Sequence, residues 1–214
     1  VEMYNLPLGE YEIAHEAYII ERIKLGMAGG KQDQYAATFG GFNFIEFGEN
    51  DKVIVNPLRI KEEIINTLEV NLLLYFVGTS RVSSELIEKM QANVKQGNKK
   101  SLDSLMKVKE QAILMKESLL TSNLKMFGKI LSSGWEHKKQ ISSGISNKKI
   151  DEIYNLAINS GAEGGRVSGA GGGGFMLFYC PKNSKHSVVK EVTKTGGHFR
   201  TYQFVKRGLT VWRI

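Results

Sequence analysis

The sequence predicts an α+β protein whose strands pair antiparallel, and three observations support this class. Segments with helical spacing of apolar residues alternate in small groups with short apolar or aromatic runs. Glycine, asparagine and aspartate clusters separate these runs, as turns do. The 214 residues, of which 42% are hydrophobic, can bury a substantial core in one large domain or in two smaller ones.

The first 59 residues predict two helices followed by a hairpin. In the first helix, Ile13, Ala17 and Ile20 share one stripe, with Ala14 and Tyr18 beside it. Glycines end both helices, and turn residues separate two alternating strands. The predicted elements are a helix from Leu8 to about Leu25, a short helix from Asp33 to Gly40, and strands over 42–47 and 52–56.

Beyond Pro57 helices predominate over strands. The longest amphipathic pattern covers residues 100–122. The predicted helices are 60–66, 83–97, 100–122, a segment beginning at Leu124, 147–160 and 184–195. The predicted strands are 69–77, 174–180, 199–205 and 209–213.

The charge balance is basic, with 29 Lys and Arg against 22 Asp and Glu and a formal net charge of +7. Such a surplus is compatible with nucleic acid, an anionic small molecule or a basic surface. The lysines, for example Lys107, Lys109 and Lys116, are dispersed along helical segments without interleaved aromatic residues. This pattern favours solvated helix faces over a nucleic-acid patch.

The number and spacing of the cysteine and histidine residues limit which disulfides and metal sites the protein can form. Cys180 is the single cysteine, which excludes an internal disulfide and fits a cytoplasmic protein. The four histidines are scattered without the spacing of a zinc site. No apolar run has membrane-spanning length, and no signal peptide opens the chain.

The block from Gly26 to Tyr35 is the first candidate site. Glycines such as Gly29 and Gly30 allow a backbone to approach a ligand closely, and Lys31 offers a positive charge. Asp33 stands near the predicted start of a helix, where aspartate commonly caps backbone N–H groups. The alternative is a carboxylate that orients and deprotonates a substrate hydroxyl.

The second candidate site is a glycine loop, in which five glycines occupy six positions from 169 to 174. Gly169, Gly171 and Gly174 satisfy G-x-G-x-x-G, but a dinucleotide loop needs a strand before it and a helix after it. Here the pattern predicts a helix before it and a strand after it, and the abrupt start of core sequence disfavours a linker. Two alternatives remain: a crowded crossing that only glycine fits, or an anion-binding nest of backbone N–H groups beside Ser168.

Taken together, the block beginning Gly-Gly-Lys-Gln-Asp-Gln-Tyr at Gly29 and the block Arg-Val-Ser-Gly-Ala-Gly-Gly-Gly-Gly-Phe-Met at Arg166 resemble the GHMP kinase superfamily. Within it the likeness is to the bacterial heptose 7-phosphate kinases and covers essentially the whole chain. The resemblance implies ATP- and Mg²⁺-dependent phosphoryl transfer to the anomeric hydroxyl of a heptose 7-phosphate.

The resemblance also implies roles for individual residues. Asp33 matches the catalytic base, and Arg81 is a candidate to hold the substrate's own phosphate, with a solvated arginine as the alternative. The residues expected to bind substrate or phosphate are Gly29, Gly30, Lys31, Gln32, Arg81, Ser168, Gly169, Ala170, Gly171 and Gly172. No residue is expected to be a metal ligand.

The domain organisation follows from the same resemblance. Residues 1–59 are expected to be the end of a domain that resembles the second domain of ribosomal protein S5. Residues 60–214 are expected to form a ferredoxin-like C-terminal domain.

The chain departs from the family in one respect, because the Pro-x-x-x-Gly-Leu-Gly-Ser-Ser loop that wraps the ATP phosphates does not occur in it. We therefore expect a C-terminal portion of a longer kinase, which alone binds ATP poorly and does not turn over. Robust sugar phosphorylation by the isolated 214-residue polypeptide would contradict this expectation.

Three other functions stay open: a fucose-type sugar 1-kinase, a noncatalytic binding protein, and an S5-like nucleic-acid binder. The expected partners are a sugar phosphate and ATP, without nucleic acid or membrane. The sequence leaves the sugar and the oligomeric state undetermined, and a homodimer is one candidate.

Overall fold

The computed structural model of the protein describes residues 6–78 and 83–211. The chain divides into two compact units, with one division after Arg59 and a second before Phe204. The first unit contains 6–59 and 204–211, and the second contains the described residues between 60 and 203. Each unit has a hydrophobic core of its own.

The first unit contains two helical segments and a hairpin. Helix α1, Glu10–Tyr18, continues as a π-helical segment, Ile19–Lys24. Helix α2, Gln32–Phe39, follows, and strand β1, Asn43–Phe47, pairs antiparallel with β2, Val53–Pro57. The core of this unit is built around Ala14, Tyr35 and Val55.

The π-helical segment changes the predicted apolar stripe of the first helix. Ala14 is fully buried, but Ile20 is 47% exposed. The Leu25 N–H donates to the Ile20 carbonyl at 3.0 Å, an i→i−5 bond that widens the turn. Because the wider turn shifts the 3.6-residue register, the apolar stripe leaves the core near Ile20.

The end of the chain packs against the first unit. The predicted C-terminal domain, 60–214, includes this segment, so the structure differs from the prediction here. The Gly41 N–H donates to the Val205 carbonyl at 2.9 Å, and the Leu209 N–H donates to the Thr38 carbonyl at 3.0 Å. Residues 209–211 form no strand, so the predicted strand over 209–213 is wrong within the described residues. These contacts join backbone groups, which side-chain patterns do not reveal.

The second unit is a four-stranded antiparallel sheet with six helices among its described residues. Its helices are α3 Glu62–Asn71, α4 Ser83–Lys95, α5 Lys99–Leu120, α6 Leu124–Lys139, α7 Lys148–Asn159 and α8 Lys185–Val192, and residues Thr193–Thr195 form a 3₁₀ turn. Its strands are β3 Leu72–Phe76, β4 Gly164–Val167, β5 Phe175–Tyr179 and β6 His198–Arg200. The strand order β4-β5-β3-β6 agrees with a ferredoxin-like β-α-β-β-α-β arrangement, and the α+β class is confirmed.

The core of the second unit lies on one face of this sheet. Tyr75, Met176 and Phe178 alternate toward that face and are fully buried. Helix α7 contributes Ile150 and Ile153, which are also fully buried. Packing of helix α7 against the sheet therefore fixes the strands that flank the glycine loop.

Strand β4 is absent from the predicted elements and changes the setting of the glycine loop. The segment that precedes the loop is a strand, so the loop joins two antiparallel strands. Glycine has a low strand propensity, which hid β4 in the sequence. The glycine is nevertheless required, because a Cβ on Gly164 would lie 2.1 Å from the Gly128 carbonyl oxygen of helix α6. The exclusion of a dinucleotide loop stands, since strand β5 follows it.

Candidate functional site

The base of the glycine loop is fixed by hydrogen bonds on both sides. The Ser168 N–H donates to the Phe175 carbonyl at 2.8 Å and continues the β4–β5 pairing. The Gly172 N–H donates to the Ile145 carbonyl at 2.9 Å. Asn147 donates from Nδ2 to the Gly172 carbonyl at 3.3 Å while its Oδ1 caps helix α7. The loop is thereby held against the sheet and against the start of α7.

The apex of the loop presents backbone N–H groups. Ser168 and Gly169 are exposed. Across the described ranges, the amides of Gly169 and Ala170, which form the centre of a turn, make no hydrogen bond with a backbone group. Gly169 and Gly171 have φ of +67° and +116°. Successive N–H groups in such a turn converge on a concavity that accepts an anion.

Both sequence-based interpretations of the loop apply, at different positions. A Cβ on Gly171 would lie 2.7 Å from the Ile145 carbonyl oxygen, so Gly171 occupies a crowded crossing. A Cβ on Gly169 would meet nothing within 4 Å, so sterics do not require glycine there. The positive φ of Gly169 requires glycine instead, because that backbone conformation disfavours other residues.

Two cations that the sequence did not single out lie beside the loop. Lys138, near the end of α6, is 7% exposed, and its Nζ donates to the Gly169 carbonyl. Arg166 lies in β4, two residues before Ser168, and is half-buried. Burial lowers the pKa of Lys138 to about 8, with a contribution from the Arg166 charge. Burial also lowers the pKa of Arg166.

Neither cation has a carboxylate partner among the described residues. The neighbouring Lys139 differs, because its Nζ lies 2.8 Å from Glu136 Oε1. Arg166 is the first residue of the Arg-Val-Ser-Gly-Ala block, and its place in that block is the only sequence feature that points to it. Both residues are lysines, but helical spacing from Phe127, Leu131 and Gly134 places Lys138 on the buried stripe of α6, a signal that the prediction did not use.

Asp33 lies in the first unit as the second residue of α2. Lys31 is the residue that precedes the helix, and no side chain caps it, so the N-cap interpretation of Asp33 is wrong. Asp33 is exposed, and its carboxylate forms no ion pair or hydrogen bond within 6–78 and 83–211. The carboxylate is therefore free to accept a proton from a bound molecule.

The glycines that precede α2 are organised by an arginine. Arg22 donates from Nε to the Gly30 carbonyl at 3.2 Å and from Nη1 to the Ala28 carbonyl at 3.3 Å. A Cβ on Gly29 would lie 2.5 Å from Arg22 Cζ, so the close contact requires glycine or a shift of Arg22.

Lys31 has an ion-pair partner in the hairpin. Its Nζ bonds Asp51 Oδ1 and lies 4.8 Å from the centroid of the Tyr18 ring. The hydrogen bond from Lys31 lowers the pKa of the Asp51 carboxyl. Lys31 is thus paired with Asp51 in the structure. The sequence suggested instead that its positive charge is available to an anionic ligand.

The predicted site residues fall into two groups, one in each unit. Gly29, Gly30, Lys31, Gln32 and Asp33 are consecutive in the first unit, and Gln32 is exposed. The predicted loop residues lie together in the second unit with Lys138 and Arg166. Arg81 lies outside the described residues.

The described ranges contain no grouping of three His, Cys, Asp or Glu side chains able to hold a metal. They also contain no helix whose length and apolarity suit a membrane span.

Residues 115–198 match the family model for the C-terminal domain of GHMP kinases. The chain is 47% identical, over 100% of its own length and 62% of the relative's, to a D-glycero-alpha-D-manno-heptose 7-phosphate kinase of Campylobacter jejuni. It is 26% identical, over 99% of its length and 60% of the relative's, to a mevalonate kinase of Thermococcus gammatolerans. The chain spans about three fifths of each relative.

Among solved structures, the chain is similar to a D-glycero-D-manno-heptose 1-phosphate kinase from Bacteroides thetaiotaomicron. The TM-score is 0.73 and the identity 36%, over 99% of this chain and 59% of that one.

Proposed function

We propose that the protein is an ATP-dependent sugar kinase that phosphorylates the anomeric hydroxyl of a heptose 7-phosphate, because residues 115–198 match the family model for the C-terminal domain of GHMP kinases and the chain is 47% identical to a heptose 7-phosphate kinase. The observation that carries the proposal is the pair of free amides on Gly169 and Ala170 at the apex of a loop with a fixed base. Such donors fit the oxygens of a phosphoryl group.

The loop contributes by positioning and by electrostatics, which account for most of the catalysis of phosphoryl transfer. ATP supplies the phosphoryl group when it is bound. The amides of Gly169 and Ala170 donate to the oxygens of a phosphate, and the exposed Ser168 side chain lies next to them. Because hydrogen bonds at the loop base hold these donors in place, little reorganisation is needed when a phosphate binds.

Asp33 is the proposed general base. Its exposed and unpaired carboxylate accepts the proton of the attacking sugar hydroxyl. A carboxylate held in an ion pair, as Asp51 is by Lys31, would be less available for this proton transfer.

Mg²⁺ neutralises phosphate charge in kinases when it is bound. Since the described residues contain no grouping suited to a metal, we assign the ion no ligand among them.

A substrate panel with the intact gene product tests the proposal. ATP is supplied with heptose 7-phosphate, heptose 1-phosphate, the unphosphorylated heptose and fucose, and ³¹P NMR identifies the phosphorylated position. We expect turnover of the heptose 7-phosphate and a new anomeric phosphate. Preferred turnover of fucose would instead support a fucose-type kinase.

A nucleic-acid function is tested in parallel. RNA binding that falls steeply with salt and ignores every sugar phosphate would contradict the kinase proposal.

A further inference from the structure

We propose that Lys138 and Arg166 bind a phosphate group at the base of the glycine loop. This inference rests on the proposed kinase function for the identity of the molecule that carries the phosphate. The chemical class is a phosphate ester, either the sugar acceptor's own phosphate or the terminal phosphate of the nucleotide.

Two like charges are buried beside the glycine loop. Lys138 is 7% exposed, and Arg166 is close enough to perturb it electrostatically. Burying a cation costs free energy unless an opposite charge compensates it. Within 6–78 and 83–211, no carboxylate forms an ion pair with either side chain. An anionic ligand provides the missing charge.

Lys138 and Arg166 lie next to the free amides of the loop. Lys138 Nζ bonds the carbonyl of Gly169, the residue whose own amide opens the run of free N–H groups. Arg166 precedes Ser168 by two residues in strand β4, and alternate residues of a strand lie on one face. The two cations and the free amides therefore belong to one small region. Arginine suits phosphate because its planar donors match the oxygens, and lysine adds a point charge.

A purely structural role for Lys138 is the competing explanation, because its bond to Gly169 also holds the loop. That role does not require Arg166 to lie nearby, and it leaves both charges uncompensated. The two explanations differ in the effect of phosphate, since a structural clamp does not respond to the anion.

The kinetic experiment compares Lys138→Met with Lys139→Met in the intact protein. Methionine keeps most of the volume of lysine and removes its charge, and Lys139 is the adjacent lysine that is paired with Glu136. We expect Lys138→Met to lower kcat/KM for a sugar phosphate by about 10- to 100-fold, the range for hydrogen bonds to charged groups. Lys139→Met should stay within about twofold of wild type.

The substrates distinguish the two sources of phosphate. A loss confined to the phosphorylated sugar, with the unphosphorylated sugar unaffected, assigns the pair to the acceptor's own phosphate. A loss on both sugars with a raised KM for ATP assigns it to the donor. Equal kinetics for Lys138→Met and Lys139→Met on every substrate would overturn the proposal.

A binding measurement separates this inference from the kinase proposal. Inorganic phosphate should raise the Tm of wild type and Lys139→Met more than equal ionic strength of chloride does. Lys138→Met and Arg166→Gln should lose most of that difference, and Arg166→Gln serves if Lys138→Met does not fold. Loss of the phosphate effect in a protein that phosphorylates no sugar would refute the kinase function and keep the site. An undiminished phosphate effect in both variants, in an active kinase, would refute the site alone.

Discussion

At the scale of single residues, Asp33 and Lys138 show how far a residue type predicts a role. Aspartate near a helix start suggested a cap or a base, and the structure removes the cap because no side chain caps α2. Lys138 is buried and Lys139 is ion-paired with Glu136, a difference that residue type does not show but that helical spacing from Leu131 and Gly134 indicates. Chemistry can be read from residue type, whereas environment cannot.

Asp33→Asn tests the proposed base. We expect kcat of the intact kinase to fall by about 10²- to 10⁴-fold with little change in the KM for ATP, since the substitution removes the proton acceptor but no nucleotide contact. Stability should fall by no more than about 1 kcal/mol, the value of a negative charge near a helix N-terminus. Asp103→Asn, another exposed carboxylate with no ion pair among the described residues, should leave kcat unchanged. A fall in kcat below tenfold for Asp33→Asn would remove its role as base.

Lys138 should make stability depend on pH. Its pKa falls from 10.5 in the unfolded chain to about 8 in the folded one, so the unfolded state binds more protons between these values. Stability therefore rises with pH from about 8 to about 10.5, and the cost of burying the charge, on the order of 3 kcal/mol, is fully present below pH 8.

Urea unfolding of wild type and Lys138→Met at pH 7 to 10.5 measures this cost. Lys138→Met should be the more stable protein at pH 7, and its advantage should shrink as the pH rises toward 10.5. A difference in stability that is independent of pH, or a variant less stable than wild type at pH 7, would show that Lys138 is not an uncompensated charge.

At the scale of elements, the helices were predicted well because their apolar residues recur with a clear period. Helices α5 and α7 have nearly the predicted bounds, and the hairpin of β1 and β2 is confirmed. Strand β4 was missed because Gly164 and Gly165 have no side chains with which to show alternation. Helix α3 extends through Asn71 into the predicted strand, since apolar residues such as Leu72 suit either element.

Two glycine substitutions, one at the α6–β4 contact and one elsewhere on α6, test why β4 contains glycine. Gly164→Ala places a Cβ 2.1 Å from the Gly128 carbonyl oxygen, a backbone atom that can move only with helix α6. We expect a loss of about 1–3 kcal/mol in the free energy of unfolding. Gly134→Ala lies on the same helix, where its Cβ meets only Gln111 atoms at 3.9 Å or more. It should be neutral or stabilise by up to about 1 kcal/mol. Equal stabilities of the two variants in urea would contradict the close contact.

At the scale of the whole molecule, the chain forms two units with separate cores, and its final segment returns to the first. A domain boundary after residue 59 was expected from the family resemblance. The return of 204–211 was not, because backbone hydrogen bonds and the packing of Phe204 on Phe42 hold it. The S5-like nature of the first unit stays a prediction.

Gly208→Ala tests whether this segment stabilises the first unit. A Cβ on Gly208 would lie 2.0 Å from the Thr38 carbonyl oxygen, so the segment must separate from α2. We expect faster amide hydrogen exchange in β1, β2 and α2, with exchange in the second unit unchanged. Arg207→Ala, an exposed neighbour, serves as the control. Unchanged exchange in the first unit of Gly208→Ala would show that the contact is dispensable.

The sequence by itself determined the α+β class, most helices, the first hairpin and the two blocks that resemble a kinase family, because period, turn residues and motif spacing are local properties of the chain. Only the tertiary structure decided that strand β4 precedes the glycine loop, that the Gly169 and Ala170 amides are free, and that the buried Lys138 lies beside the loop. These features depend on which backbone segments approach one another and on which charges are left without a partner. The residues concerned lie far apart in the chain, so no local sequence pattern indicates that they approach one another.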